Sequence, residues 1–162
     1  MKEPCLVYSF VNSNSDGDFE LEMAKNTPCQ VHIFHCDSGL PKGLTHEKIT
    51  GHQKCLSSKS LFSSPQYLTI PTIRKSLNHD QIHILKVDLK GTEAFAFKDW
   101  LPTDKFLPHQ LIVQVHLTTF TTEETLLIFN QLFHLGYRIT NRNYSKKDVN
   151  SMEFTLLRVR CI

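Results

Sequence analysis

The chain alternates short, nearly continuous apolar runs with amphipathic stretches. The runs Cys5–Val11, Gln30–Phe34, Ile82–Val87, Gln110–Leu117 and Phe154–Arg160 are rich in Val, Ile, Phe and Leu. Each reads as a strand; Ile82–Val87, too short for a typical helix, and Gln110–Leu117 are nearly continuous in apolar residues, the pattern of strands buried on both faces of a parallel sheet. Leu44–Gly51 reads as a short further strand broken by its glycine, and Tyr137–Thr140 as the strand before the last.

Helical patterns fill the gaps. Phe19–Lys25 has acids near its start and Lys25 near its end, matching the helix dipole, with Asp18 placed as N-cap. Thr69–Leu77 puts Ile70, Ile73 and Leu77 on one stripe, with Thr69 or Ile70 as cap and Pro71 near the first helical position. Thr92 and Glu93 open a helix over Ala94–Leu101, which Pro102 ends. Thr121–Glu124 has the form of a capping box. The helix it opens carries Leu126, Phe129, Leu132, Phe133 and Leu135 on a broad face and stops at Gly136. Asn12–Asp18 contains only turn formers, residues 52–66 read as a Ser- and Lys-rich surface loop or a lid, and Asn141–Ser151 as a hairpin loop.

The resulting order, β-α-β-β-α-β-α-β-α-β-β, implies an α/β fold: a Rossmann-like, doubly wound, mostly parallel sheet with helices on both faces. The final pair lacks a crossover helix and so forms an antiparallel edge hairpin. The length of 162 residues suits a single domain spanning the chain.

Composition narrows the function classes. A net charge of +2 and a pI near 8.3 are too mild to argue for nucleic acid or an anionic membrane surface. No apolar run reaches transmembrane length. Met1-Lys2-Glu3-Pro4 leads straight into a strand, so no signal peptide is expected within the chain; the sequence also fits a piece of a longer protein, cytoplasmic or secreted. The five cysteines, at 5, 29, 36, 55 and 161, form no CxxC and no zinc spacing. The reading favours buried free thiols, with one or two disulfides as the alternative in a secreted parent, and no metal site.

Candidate chemistry gathers at strand ends. Asp88 follows the run Ile82–Val87, at the carboxyl end of a central strand, where open α/β sheets bind ligands. Glu93 lies just beyond Gly91. The Asn12–Asp18 loop and the helix start after it offer N–H groups to an anion or carboxylate. An acid after the second strand commonly bonds a ribose hydroxyl; here His35 comes first and Asp37 two residues later. The plainer alternative makes Asp16 and Asp18 a turn and a cap, and His116 a satisfied strand-end histidine. No GxGxxG follows the first strand, which argues against a dehydrogenase-type dinucleotide domain.

Three segments carry a family resemblance. Leu6-Val7-Tyr8-Ser9-Phe10 with Asp18-Phe19-Glu20 is one, Val31-His32-Ile33-Phe34 a second, and Ile84–Glu93 followed by Asp99-Trp100-Leu101 the third. Together they resemble the FkbM-like branch of class I S-adenosylmethionine-dependent methyltransferases, within it the methyltransferase-like protein 24 group. The third segment resembles a K-(I/V)-D-x-E-G-x-E signature. The resemblance implies S-adenosyl-L-methionine as cofactor and O- or N-methyl transfer to a small-molecule, glycan or protein acceptor. It places Ser9, Asn12, Asp16, Asp18, His35 and Asp37 around the donor, Asp88 and Glu93 beside the reacting centre, and His116 as base. The chain departs from the family pattern at Val11, where a glycine is usual, at His35 and Gln114, where acids are usual, and at Lys90, a charge reversal. Those departures suit the alternative of a non-catalytic binding or scaffold domain.

Overall fold

A computed structural model describes residues 5–12, 14–36, 39–41, 43–57, 64–91, 93–118, 121–145 and 148–159. Its core is a seven-stranded sheet in the order β3-β2-β1-β6-β7-β9-β8. The strands are β1 (Leu6–Phe10), β2 (Gln30–His35), β3 (Ile49–Gln53), β6 (Ile84–Val87), β7 (Gln110–His116), β8 (Tyr137–Tyr144) and β9 (Ser151–Arg158). All neighbours pair in parallel except at β9, which runs antiparallel to both β7 and β8. This is the expected mostly parallel sheet with a terminal hairpin.

Alternate residues of each strand point to opposite faces, and each face has its helices. Tyr8, Phe10, Phe34, Leu85, Val87, Leu111, Val113 and Val115 meet Ile70 and Ile73 of α2 (Ile70–Ser76), Phe97 of α3 (Glu93–Phe97) and Ile128, Phe129 and Leu132 of α4 (Thr122–His134). On the other face Val7, Val11, Val31 and Ile33 meet Ala24 of α1 (Asp18–Asn26). The strands β1, β6 and β7 are buried on both faces, which is why their runs are continuously apolar. No helix among the described residues is long and apolar enough to cross a membrane.

Local signals explain several boundaries. The Thr121 side chain accepts from Glu124 N, and the Glu124 carboxylate accepts from Thr121 N, completing the capping box of α4. Thr69 caps α2 by accepting from Thr72 N. Helix α1 departs from expectation. Gly17, at φ 78°, is its N-cap residue and has no side chain to cap with; Asp18 is the first helical residue, and its N–H donates to Asp16 Oδ1. Gly17 is required there, because a Cβ would fall 2.5 Å from Leu44 Cδ1 as well as at unfavourable φ.

Other boundaries shift. β3 begins at Ile49 rather than at residue 44, since Leu44 leaves the sheet to pack against α1 and its strand neighbours. α3 stops at Phe97, before Pro102 can act as terminator. Within the region read as a loop, β4 (Cys55–Leu56) forms and pairs in parallel with β5 (Tyr67–Leu68), which lies just past it; residues 58–63 lie outside the described set. The hairpin strands reach to Tyr144 and start at Ser151, because cross-strand hydrogen bonding continues into the polar stretch read as loop. On α4, Leu126 and Phe133 are exposed at 58% and 39%, so the buried stripe is narrower and runs through Ile128, Phe129 and Leu132.

The cysteine expectation is also corrected. Cys5 pairs with Cys29 and Cys36 with Cys55. Cys5 and Cys29 each precede the first residue of β1 and β2, which sit side by side in register. Cys36 and Cys55 follow β2 and β3, which are likewise parallel neighbours. The two bridges therefore clip β2 to the strands on either side, one at each end. Cys161 lies outside the described residues.

Candidate functional site

A crevice of about 640 Å³ opens where the carboxyl ends of β1, β6 and β7 meet the hairpin tip. That size is ordinary for a small-molecule or cofactor pocket. The loop after β1 supplies Asn12, Asn14, Ser15 and Asp16, and α1 supplies Asp18 and Phe19. β6 and its following loop supply Lys86, Asp88 and Lys90; β7 supplies Gln114 and His116. The hairpin closes the far side with Asn143, Tyr144, Ser145, Asp148 and Glu153.

Asp88 is the hub. Its backbone N–H donates to Phe10 O at 3.0 Å, which extends the β1–β6 ladder past the strand end. Asn12 Nδ2 donates to Asp88 Oδ1 at 2.9 Å and Ser15 Oγ to Asp88 Oδ2 at 3.3 Å. Asn12 Oδ1 in turn accepts from Asn14 N, and Asp16 Oδ1 from Asp18 N. The polar loop is thereby tied to the acid that ends the central strand.

Glu93 lies behind Asp88 and is fully buried. Its two carboxylate oxygens accept from Leu89 N at 2.9 Å and Gly91 N at 2.8 Å, so it shapes the turn between β6 and α3. Its Oε1 also lies 3.1 Å from His116 Nδ1. A carboxylate can only accept, so Nδ1 carries a proton and the ring presents Nε2 to the crevice. That Nε2 stands 3.7 Å from Asp88 Oδ1.

Under the crevice floor, Glu20 of α1 and Lys86 of β6 form a buried ion pair, Oε1 to Nζ 3.0 Å. Ser9 donates its hydroxyl to the same Glu20 oxygen, and the Phe19 ring lies 4.9 Å from Lys86 Nζ.

The structure brings Asn12, Asp16, Asp18, Asp88 and His116 around one crevice, with Glu93 holding two of the lining segments from behind. Ser9 does not line it, since its hydroxyl is spent on Glu20 inside the protein. His35 ends β2 outside the lining, its Nδ1 buried without a hydrogen-bond partner among the described residues. Asp37 lies outside the described residues, as does Thr92. Val11 is buried and donates its N–H to Phe34 O, so its side chain does not fill the crevice. Lys90 adopts φ 52°, a left-handed conformation where the family resemblance expects an acid.

Sequence reading missed the hairpin wall and the Glu20–Lys86 pair. The second had a signal: a lysine inside the apolar run Ile84–Val87 must find a buried anion. The hairpin wall had none, because β8 is exposed along almost its whole length and from Asn141 on shows no alternation of apolar and polar residues.

A parallel sheet of this order with a polar crevice at the carboxyl ends of β1, β6 and β7 is the architecture of a Rossmann-like methyltransferase. A family described as "methyltransferase domain" matches residues 1–159, and the chain belongs to that family. No curated protein matches the chain in sequence. Among solved structures, the Methanococcus jannaschii fibrillarin pre-rRNA processing protein superposes with a TM-score of 0.64 at 11% identity, over 97% of this chain and 67% of that one. Aeropyrum pernix fibrillarin, in complex with natively bound S-adenosyl-L-methionine, gives 0.57 at 11% identity, over 95% and 66%. A putative O-methyltransferase from Klebsiella pneumoniae gives 0.51 at 9% identity, over 96% and 74%. The chain thus spans about two thirds of the length of the two fibrillarin chains. At these identities the likeness is one of fold.

Proposed function

We propose that this chain is one domain that transfers a methyl group from S-adenosylmethionine to an oxygen or nitrogen acceptor in the crevice. The observation that carries this reading is the meeting of Asp18, Asp88 and His116 around a single opening at the strand ends. The donor carries a sulfonium and an amino cation, and Asp16, Asp18 and Asp88 line the crevice on the side of the β1–α1 loop. Val11, packed away beneath, leaves that side free for a ligand. The family membership and the donor-bound Aeropyrum relative favour the same cofactor. The motif segments Leu6–Phe10 and Ile84–Glu93 favour the FkbM-like branch and the methyltransferase-like protein 24 group.

S-adenosylmethionine supplies an electrophilic methyl carbon. The protein's part is positioning: holding an acceptor atom in line with that carbon. Asn12, Asp16 and Asp18 hold the donor's amino end. The acceptor sits against the corner of Asp88 and His116, where its proton is drawn off; Glu93 keeps the imidazole turned with Nε2 outward. The acceptor lone pair forms the new bond to carbon while the carbon–sulfur pair returns to sulfur. The hairpin residues Asn143, Tyr144, Asp148 and Glu153 face the acceptor. Two disulfides suit an oxidising compartment.

The test is turnover with the acceptor class found by screening. His116→Ala lowers kcat by about 10²-fold or more while leaving donor affinity close to that of the unaltered protein. Unchanged turnover in that variant rules out the role given to His116.

A further inference from the structure

We propose that Asp88 and His116 hold a divalent transition-metal ion in the crevice, with Glu93 as the carboxylate that orients the histidine. The inference is about binding and stands on geometry; only its use in catalysis rests on the methyl-transfer reading.

His116 is 6% exposed, and its Nδ1–H is committed to Glu93. The other ring nitrogen, Nε2, makes no hydrogen bond among the described residues. Asp88 Oδ1 stands 3.7 Å from it, too far for a hydrogen bond. An ion that takes the place of any proton on Nε2 finds a ring nitrogen and a carboxylate oxygen aimed at one point. Neither can turn away. Asp88 is fastened by Asn12 and Ser15, and Glu93 is fastened by two backbone N–H groups and holds the ring. Two bonds of about 2.1 Å from one ion span 3.7 Å at an angle of about 120°. One ligand atom from each of Asp88, Glu93 and His116 lies within 4.8 Å of the other two.

The arrangement has the parts of a catalytic metal centre. An imidazole and a carboxylate bind directly, a buried carboxylate receives the far N–H of the histidine, and the crevice leaves positions open for water or acceptor. One nitrogen and one oxygen ligand suit manganese, iron, cobalt or zinc better than calcium, which prefers oxygen alone. With an acceptor hydroxyl bound to the ion, the ion lowers its pKa and the proton leaves to solvent water. The oxygen lone pair then forms the bond to the methyl carbon, and the carbon–sulfur electrons stay on sulfur. Asp88 and His116 act as ligands in this scheme, and solvent water takes the proton that the ion has made acidic.

The experiment titrates the full chain with cobalt(II), without S-adenosylmethionine, following d–d absorbance and heat. The expected result is one saturable site. Asp88→Asn and His116→Ala each lower its affinity at least tenfold, Glu93→Gln lowers it roughly 10–100-fold, and His32→Ala leaves it unchanged. The His32 control is needed because His32, His52 and His79 form a separate cluster. No saturable binding, affinity indifferent to Asp88 and His116, or loss on replacing His32 overturns the inference. Should the variants fail to fold, manganese(II) added to the unaltered protein broadens the His116 imidazole resonance first; broadening first at the His32 cluster overturns it equally. S-adenosylmethionine is titrated in a parallel arm. Donor binding without cobalt binding removes the metal site alone, and cobalt binding without donor binding removes the methyl-transfer reading alone.

Discussion

Glu20 on α1 and Lys86 on β6 make a salt bridge of 3.0 Å with their side chains 0% and 10% exposed. It links the helix after the Asn12–Gly17 loop to the strand that leads into Asp88. Ser9 contributes one more donor to Glu20 Oε1, while Oε2 has no hydrogen-bond partner among the described residues. Breaking a buried pair from one side leaves an uncompensated charge and costs about 3–5 kcal/mol, whereas replacing both partners by apolar residues is often close to neutral. Glu20→Leu is therefore expected to destabilise by roughly that amount in urea titration, and Glu20→Leu with Lys86→Met to recover most of it. Equal losses in the single and double variants contradict the pairing.

The disulfides make a second prediction. Cys5–Cys29 and Cys36–Cys55 close loops with sequence separations of 24 and 19. Loops of that size contribute on the order of 3 kcal/mol each through the unfolded chain. Reductant is expected to lower Tm by roughly 10–25 °C. Peptide mapping of the unreduced protein is expected to return those two pairs, and any other pairing, or four free thiols, contradicts the strand registers.

A third concerns pH. His32 Nδ1 lies 2.9 Å from His52 Nε2, and the His79 ring packs edge-on against His32 while its Nδ1 meets Tyr8 Oη at 2.6 Å. Burial, helped by the neighbouring His79 and His52, pushes the His32 pKa down from 6.5 to about 4. His52 is lowered first by burial and then by His79, Lys54 and His35, and His79 by burial. Arg74 near Tyr8 adds positive charge to the same region. Groups depressed in the folded state bind more protons when unfolded, so their stabilisation is complete above about pH 6.5 and is lost as pH falls toward 4. Tm is expected to drop between pH 7 and 4.5, and His32→Phe to flatten that slope. A slope unaltered by His32→Phe contradicts the assignment.

Much of this fold was legible because local and tertiary demands agree. The continuous apolar runs of β1, β6 and β7 are the consequence of helices on both faces, and Thr121 with Glu124 closes the capping box its spacing implies. Asp88 and His116 were visible because each sits at or just past the end of an apolar run, and Asp18 because it opens a helix after a loop of turn formers. The disulfides were not, since thiol pairing depends on β2 lying between β1 and β3, a fact of sheet order and not of spacing. β8 was read short because an exposed edge strand leaves its polar residues indistinguishable from a loop. Glu93 was read as flanking the reaction; its burial and its bonds to Leu89 N, Gly91 N and His116 make it the group that positions others.

On the proposed function, the crevice beside Asp18 and Asp88 takes S-adenosylmethionine. Isothermal titration of the full chain with that donor tests this without knowledge of the acceptor. Saturable heat is expected, with a dissociation constant in the micromolar range, weakened at least tenfold by Asp18→Ala. Absence of heat up to millimolar donor, with the protein folded by circular dichroism, contradicts it.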